Sequence, residues 1–166
     1  MAKAPLKTRI AKGTAAAALV TSMIGGFEGV RLYAYRDPVG IPTACFGETR
    51  NIHMGDKFTM AECKAMLGDR AMEFEQGVRN CLLYPDKVPI GSYVASISFA
   101  YNLGVGAYCK SSIVRLMNKG QYRAACDRFG LYNKATIPGT TRKIVLPGLT
   151  KRRADEAAVC RTEYPS

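Results

Sequence analysis

Apolar residues recur at roughly helical spacing through "TMAECKAMLGDRAMEFEQGVRNCLL", residues 59–83: Cys63, Met66, Leu67, Met72, Phe74, Val78, Cys81 and Leu82. Thr59 and Glu62 open the stretch with the spacing of a capping box. A helix of this length measures ~36 Å at 1.5 Å per residue, longer than a small core, and is predicted to connect two lobes. "PIGSYVASISFAYNLG", residues 89–104, is apolar nearly all round, which predicts the buried central helix of the second lobe, ended by Gly104. "SSIVRLMNKG" predicts a helix with Ser111 or Ser112 as N-cap and Gly120 as stop. "QYRAACDRFGLY" reads as a further short helix, "NKATIPGTTRKIVLPG" as a loop and "TKRRADEAAVCRTEY" as the closing helix.

Upstream the period changes. "RLYAYRDPVGIPTACFGE" alternates and carries breakers at Asp37-Pro38 and Gly40, the pattern of a short hairpin. "RNIHMG" is expected to add a third short strand. Residues 14–28 read as a first amphipathic helix, with Thr14 as N-cap and Gly29 as stop. One small sheet with helices massed elsewhere defines the α+β class. The chain therefore divides into an N-terminal segment, 1–27, a small β lobe, 29–58, a connecting helix, 59–83, and a helical lobe, 84–166.

The N-terminal segment has a second, compatible reading. Lys3, Lys7, Arg9 and Lys12 precede the weakly apolar "GTAAAALVTSMIGGF". Basic then apolar is the order of an export signal, although a run of about 15 residues falls short of the ~20 that span a bilayer. Residues 10–27 could associate transiently with the inner membrane and later leave it.

Composition narrows the partners. The 166 residues hold 24 Lys and Arg against 13 Asp and Glu, a formal charge of +11. Such an excess suits a polyanionic partner: nucleic acid, lipid head groups or an acidic cell wall. The cations are dispersed, with no run longer than Lys151-Arg152-Arg153, which argues against a nucleic-acid arm. Cys45, Cys63, Cys81, Cys109, Cys126 and Cys160 are widely spaced with no CxxC, so zinc is not expected. Two readings remain: buried free thiols, or three disulfides in an oxidising compartment with fifteen possible connectivities.

The candidate chemistry sits in "GGFEGVRLYAYRDPVGIPTACFGE", residues 25–48. Glycoside hydrolysis needs an acid under the leaving oxygen and a carboxylate across the sugar. Glu28 ends an apolar helix, where Ile24, Phe27 and Val30 are expected to shelter it and favour the neutral acid. Asp37, beside Arg36 and Pro38 in the turn, is expected to be wetter and ionised. Thr43, on the returning strand, offers a hydroxyl that can hold a water for Asp37 to activate. The spacing alone equally suits an Asp that only caps its turn and a Thr that is only part of a strand.

Glu-x8-Asp-x5-Thr, with a helix before it and a hairpin inside it, resembles the phage lysozyme family of glycoside hydrolases, the T4-type and lambdoid endolysins. "SFAYNLGVGAYCKSSIVRLMNKG" and "LPGLTKRRADEAAVC" resemble two further motifs of that family, in the same order, so the likeness spans roughly residues 22–161. It implies a mainly helical two-lobed lysozyme fold with a small antiparallel hairpin lobe. It implies a monomer that cleaves the β-1,4 bond between N-acetylmuramic acid and N-acetylglucosamine of peptidoglycan glycan strands, with no cofactor, metal or nucleic acid. Glu28 would be general acid, Asp37 base and Thr43 the water-positioning residue. Asn102 and Gly104 fall where the family lines its cleft, or else merely end a helix. Arg152 or Arg153 would pair with Glu28. The disulfides implied are Cys45–Cys63, Cys81–Cys109 and Cys126–Cys160. The site of action would be the bacterial periplasm, reached from an inner-membrane tether or, failing that, from the cytoplasm through a holin.

Three features depart from the family pattern. Glu48 stands where the family usually has His, and His53 is a poor substitute. There is no Trp, so Phe129 or Tyr132 must fill its volume. Asp37 stands where some membrane-anchored relatives carry a regulatory Cys. Two rival readings follow from the residues: a cationic membrane- or wall-binding protein without catalysis, and a lytic transglycosylase, which needs one acid but no activated water.

Overall fold

The computed structural model describes residues 7–163. Lys3 and the rest of residues 1–6 lie outside them, as do residues 164–166. The chain forms two units, one running to Glu73 and one from Phe74.

In the first unit, α1 (Ala15–Glu28) begins at Thr14, whose side chain accepts the Ala17 N–H, and stops at Gly29, where φ is 69°. A side chain there would be strained, so the glycine both ends the helix and turns the chain toward the sheet. Val20 and Ile24 form the buried stripe of α1. Gly25 lies against the next layer: a Cβ there would come within 3.2 Å of the Phe46 ring.

Strands β1 (Arg31–Arg36) and β2 (Pro42–Cys45) pair antiparallel, with Tyr35 opposite Thr43 and Arg36 opposite Pro42. The register shifts between Arg31 and Tyr35. A bulge of this kind bends the strand that carries it. The other edge of β1 is met by residues 56–58, through Ala34 N–H to the Asp56 carbonyl and Phe58 N–H to the Leu32 carbonyl. Ala34, Ala44 and Ile52, with Phe58 against them, make the small core under the sheet. The third strand expected at "RNIHMG" does not form. Asn51 (φ 56°) and Gly55 (φ 101°) take left-handed backbone, so the segment turns twice and buries only Ile52.

Helix α2 (Met60–Cys81) is the long helix, and it passes from the first unit into the second. Its capping box is formed: Thr59 N–H donates to Glu62 Oε2 at 2.6 Å and Glu62 N–H to Thr59 Oγ1 at 3.2 Å. The bonds from the Thr59 backbone and hydroxyl hold the Glu62 carboxyl below its usual range.

The second unit is built around α3 (Ile90–Leu103), whose residues 91–100 are all buried. Gly91 permits a close crossing with α7 (Pro147–Cys160), since a Cβ there would collide with the Val159 carbonyl. Gly104 ends α3 with φ 93° and leads into α4 (Val105–Cys109), a short helix the pattern did not announce. Ser111 caps α5 (Ser112–Asn118), and Gly120 (φ 71°) follows it. The expected helix over 121–132 is divided into α6 (Tyr122–Cys126) and a 3-10 turn, Phe129–Leu131. The segment read as a loop contains a second hairpin, β3 (Lys134–Thr136) with β4 (Lys143–Val145). Phe129 and Tyr132 both stand edge-on to Phe99, at 5.7 and 5.1 Å between ring centres, so both fill aromatic volume there.

All three disulfides join the pairs named above: Cys45–Cys63 in the first unit, Cys81–Cys109 and Cys126–Cys160 in the second.

Candidate active site

Asp37 and Thr43 are brought together by the hairpin turn, through one residue. Ile41 donates its N–H to Asp37 Oδ1 at 2.8 Å. The Ile41 carbonyl accepts the Asp37 N–H at 3.0 Å and the Thr43 hydroxyl at 2.9 Å. Val39 N–H adds a second bond to Asp37 Oδ1 at 3.0 Å, and Arg36 Nη1 donates to the Gly40 carbonyl across the turn. Asp37 thus closes its own turn with one oxygen, the structural role the sequence left open, and among the described residues Oδ2 takes no hydrogen bond. Thr43 is 4% exposed. Its proton is spent on Ile41, so the hydroxyl oxygen is oriented as an acceptor.

Glu28 closes α1, with two residues between it and the start of β1. Its surroundings differ from expectation. Glu28 is exposed, Ile24 points wholly inward, Phe27 is half-buried and Val30 is 39% exposed. The apolar neighbours serve the core rather than shelter the carboxyl, because the helix stripe that buries Val20 and Ile24 leaves position 28 on its edge. A groove of about 990 Å³ between α1 and the first half of α2 is lined by Ala17, Thr21, Gly25, Phe46, Ala65 and others. Glu28, Asp37 and Thr43 are not among its lining residues.

Asn102 and Gly104 lie in the second unit. Asn102 Oδ1 accepts from Arg153 Nη2 at 3.0 Å, and Gly104 supplies the left-handed break between α3 and α4. Arg153 is fully buried. It meets Glu156 Oε2 at 2.7 Å, as a charge contact rather than an aligned hydrogen bond, donates to Glu156 Oε1 at 2.9 Å and covers the Phe99 ring at 4.7 Å. Arg152 Nε donates to Glu156 Oε1 at 3.3 Å, and Ser98 donates to the same oxygen at 2.7 Å. Burial pushes the Glu156 carboxyl up more strongly than the charge of Arg153, the Ser98 hydroxyl and Arg152 pull it down. Arg152 and Arg153 are therefore both interior. The available signal was Glu156, three and four positions on along the same helix.

Sequence reasoning also missed what Glu48 does. Its Oε1 accepts the N–H groups of Thr49 and Arg50, both at 2.9 Å, and its Oε2 lies 3.6 Å from Arg70 Nε. Arg70 and Arg50 both reach Glu73, at 3.0 and 2.7 Å. Desolvation opposes the charge of Glu73, but the two arginines outweigh it and hold the carboxyl below its usual range. Among the described residues there is no group of His, Cys, Asp and Glu that could hold a metal.

A mainly helical chain carrying small antiparallel hairpin sheets, as found here, has the lysozyme fold. The chain belongs to the phage lysozyme family, whose profile matches residues 25–156. It is 34% identical over 150 residues to the SAR-endolysin of Pseudomonas phage phiKMV, covering 90% of this chain and 89% of that one. Among solved structures it resembles the muramidase domain of SpmX from Asticaccaulis excentricus, with TM-score 0.77 and 26% identity over 86% of this chain and 95% of that one. It also resembles an endolysin from Escherichia coli O157:H7 phage FAHEc1, with TM-score 0.75 and 29% identity over 89% and 94%.

Proposed function

We propose that Glu28, Asp37 and Thr43 perform the hydrolysis carried out by this phage lysozyme. The protein is an endolysin, a muramidase of bacterial peptidoglycan. Glu28 protonates the glycosidic oxygen between N-acetylmuramic acid and N-acetylglucosamine. Asp37, through Oδ2, takes a proton from a water that Thr43 orients. The observation that carries this reading is the bonding at Ile41, which fixes Asp37 and Thr43 to one residue while sparing one carboxylate oxygen and the acceptor side of the hydroxyl. Exposure of Glu28 means that the bound sugar itself must exclude water from the acid. Glu28→Gln is expected to cut the rate of wall clearing by about 10²–10⁴-fold, the usual weight of a general acid. Clearing of purified walls at the wild-type rate would overturn the assignment.

The lytic-transglycosylase reading draws on the same turn, because an Asp occupied with Val39 and Ile41 need not activate water. Its mark is 1,6-anhydro ends in the product.

Export and a temporary inner-membrane hold through residues 10–27 form part of the proposal. Support comes from relatives named SAR-endolysin and from the weakly apolar composition of α1. No described helix is long and apolar enough to cross a membrane. The proposed setting is the periplasm, with the protein acting as a monomer on glycan strands.

A further inference from the structure

We infer that Glu48 and Arg70 form an internal strut that sets the position of Thr43, and that Glu48 is a positioning residue for hydrolysis. The inference rests on the role proposed above for Thr43.

Glu48 follows the strand that carries Thr43. The backbones of Ala44 and Glu48 exchange both hydrogen bonds, at 2.9 and 2.8 Å, and enclose a three-residue turn, Cys45 to Gly47. Within that turn Cys45 has φ 57° and Gly47 φ 84°. Left-handed backbone is uphill for a cysteine and persists where the surroundings hold it. Two ties to α2 supply that hold. One is the Cys45–Cys63 disulfide, and the other is Glu48 with Arg70.

The ionic tie is shielded. The Glu48 side chain is 11% exposed and that of Arg70 27%, whereas Glu73 and Arg50 beyond them are about half exposed at 49% and 59%. Charges alternate along the set: Glu48, Arg70, Glu73, Arg50. Cys63, Arg70 and Glu73 are spaced seven and three apart, so one face of α2 grips the chain at Cys45, Glu48 and Arg50. The Glu48 carboxylate also fixes the start of the next loop through the two N–H groups it accepts.

A two-stranded sheet is marginal by itself. The Thr43 hydroxyl therefore owes its placement to whatever anchors the strand end, one residue from Ala44. Displacement of a positioning group by about 1 Å costs up to ~10²-fold in rate.

Arg70→Gln, Arg70→Lys, Glu48→Gln and the Glu48→Gln/Arg70→Gln double variant are to be assayed on soluble uncrosslinked glycan strands, well below each variant's melting midpoint. The expected result is a kcat lower by about tenfold in Arg70→Gln with KM within about twofold, recovery in Arg70→Lys, and a double variant no slower than the worse single one. Glu48→Gln keeps an oxygen for Thr49 and Arg50 and serves if Arg70→Gln does not fold. A lower melting midpoint with unchanged kcat, or strictly additive losses in the double variant, would overturn the inference. Thr43→Val separates the two levels. If it is fully active, the role of Thr43 fails; if it is slow while both strut variants are unimpaired, only the strut fails.

Discussion

The two oxygens of Asp37 differ: Oδ1 closes the hairpin turn by accepting from Val39 and Ile41, and Oδ2 is the one the proposed mechanism uses. The two roles can be separated by substitution. Asp37→Asn keeps an acceptor for the turn and removes the charge, so it is expected to melt near the wild type and to lose about 10²–10⁴-fold in kcat. Asp37→Ala loses both, adding about 1–3 kcal/mol of destabilisation for two broken hydrogen bonds, visible in urea unfolding. Full activity in folded Asp37→Asn, with 1,6-anhydro product ends, would replace the hydrolase mechanism by the transglycosylase one. Glu156 illustrates the opposite situation. Every oxygen is committed to the interior, between Arg152, Arg153 and Ser98. Cutting one member of such a group leaves an uncompensated buried charge, which outweighs any gain from the lost ion.

Helices α1, α2, α3, α5 and α7 were legible because their signals are local. Thr14, Thr59 and Ser111 sit at helix starts and Gly29, Gly104 and Gly120 at or just beyond helix ends, as the pattern placed them. The second hairpin was read as a loop for an equally physical reason. All three residues of β4 are exposed, so no alternation marks it. At "RNIHMG" the apolar Ile52 suggested a strand, yet the left-handed residues on either side decide for turns. Helix α1 also carries the proposal about the membrane. Small residues, Ala17, Ala18, Thr21, Ser22 and Gly25, line its groove against α2, so a segment able to rest at a bilayer also suits close packing in the folded unit. Expressed without a holin, the full chain is expected to fractionate in part with membranes and the periplasm, and a chain lacking residues 1–17 with the cytoplasm. Retention of both forms in the cytoplasm would end the anchor proposal.

For the whole molecule, covalent ties weigh heavily. The three disulfides close loops separated by 18, 28 and 34 residues. On chain-entropy grounds each is worth about 3–4 kcal/mol. Their sum rivals the ~5–15 kcal/mol net stability of an ordinary domain. Reduction with dithiothreitol is therefore expected to remove most of the stability, read as a large fall in the urea midpoint; an unchanged midpoint would contradict the estimate. The +11 charge belongs to this scale too, and is expected to give a general attraction to anionic surfaces that weakens with salt.

By itself the sequence determined the α+β class, the main helices with their caps, the hairpin, and the family likeness, because periodicity, caps and turn residues act over a few positions. Tertiary structure decided the rest. It bent β1 with a bulge, buried Arg153 against Glu156, left Glu28 exposed and joined Glu48 to Arg70. Each of these depends on which distant side chain supplies the opposite charge or covers the surface, and a linear pattern does not specify such neighbours.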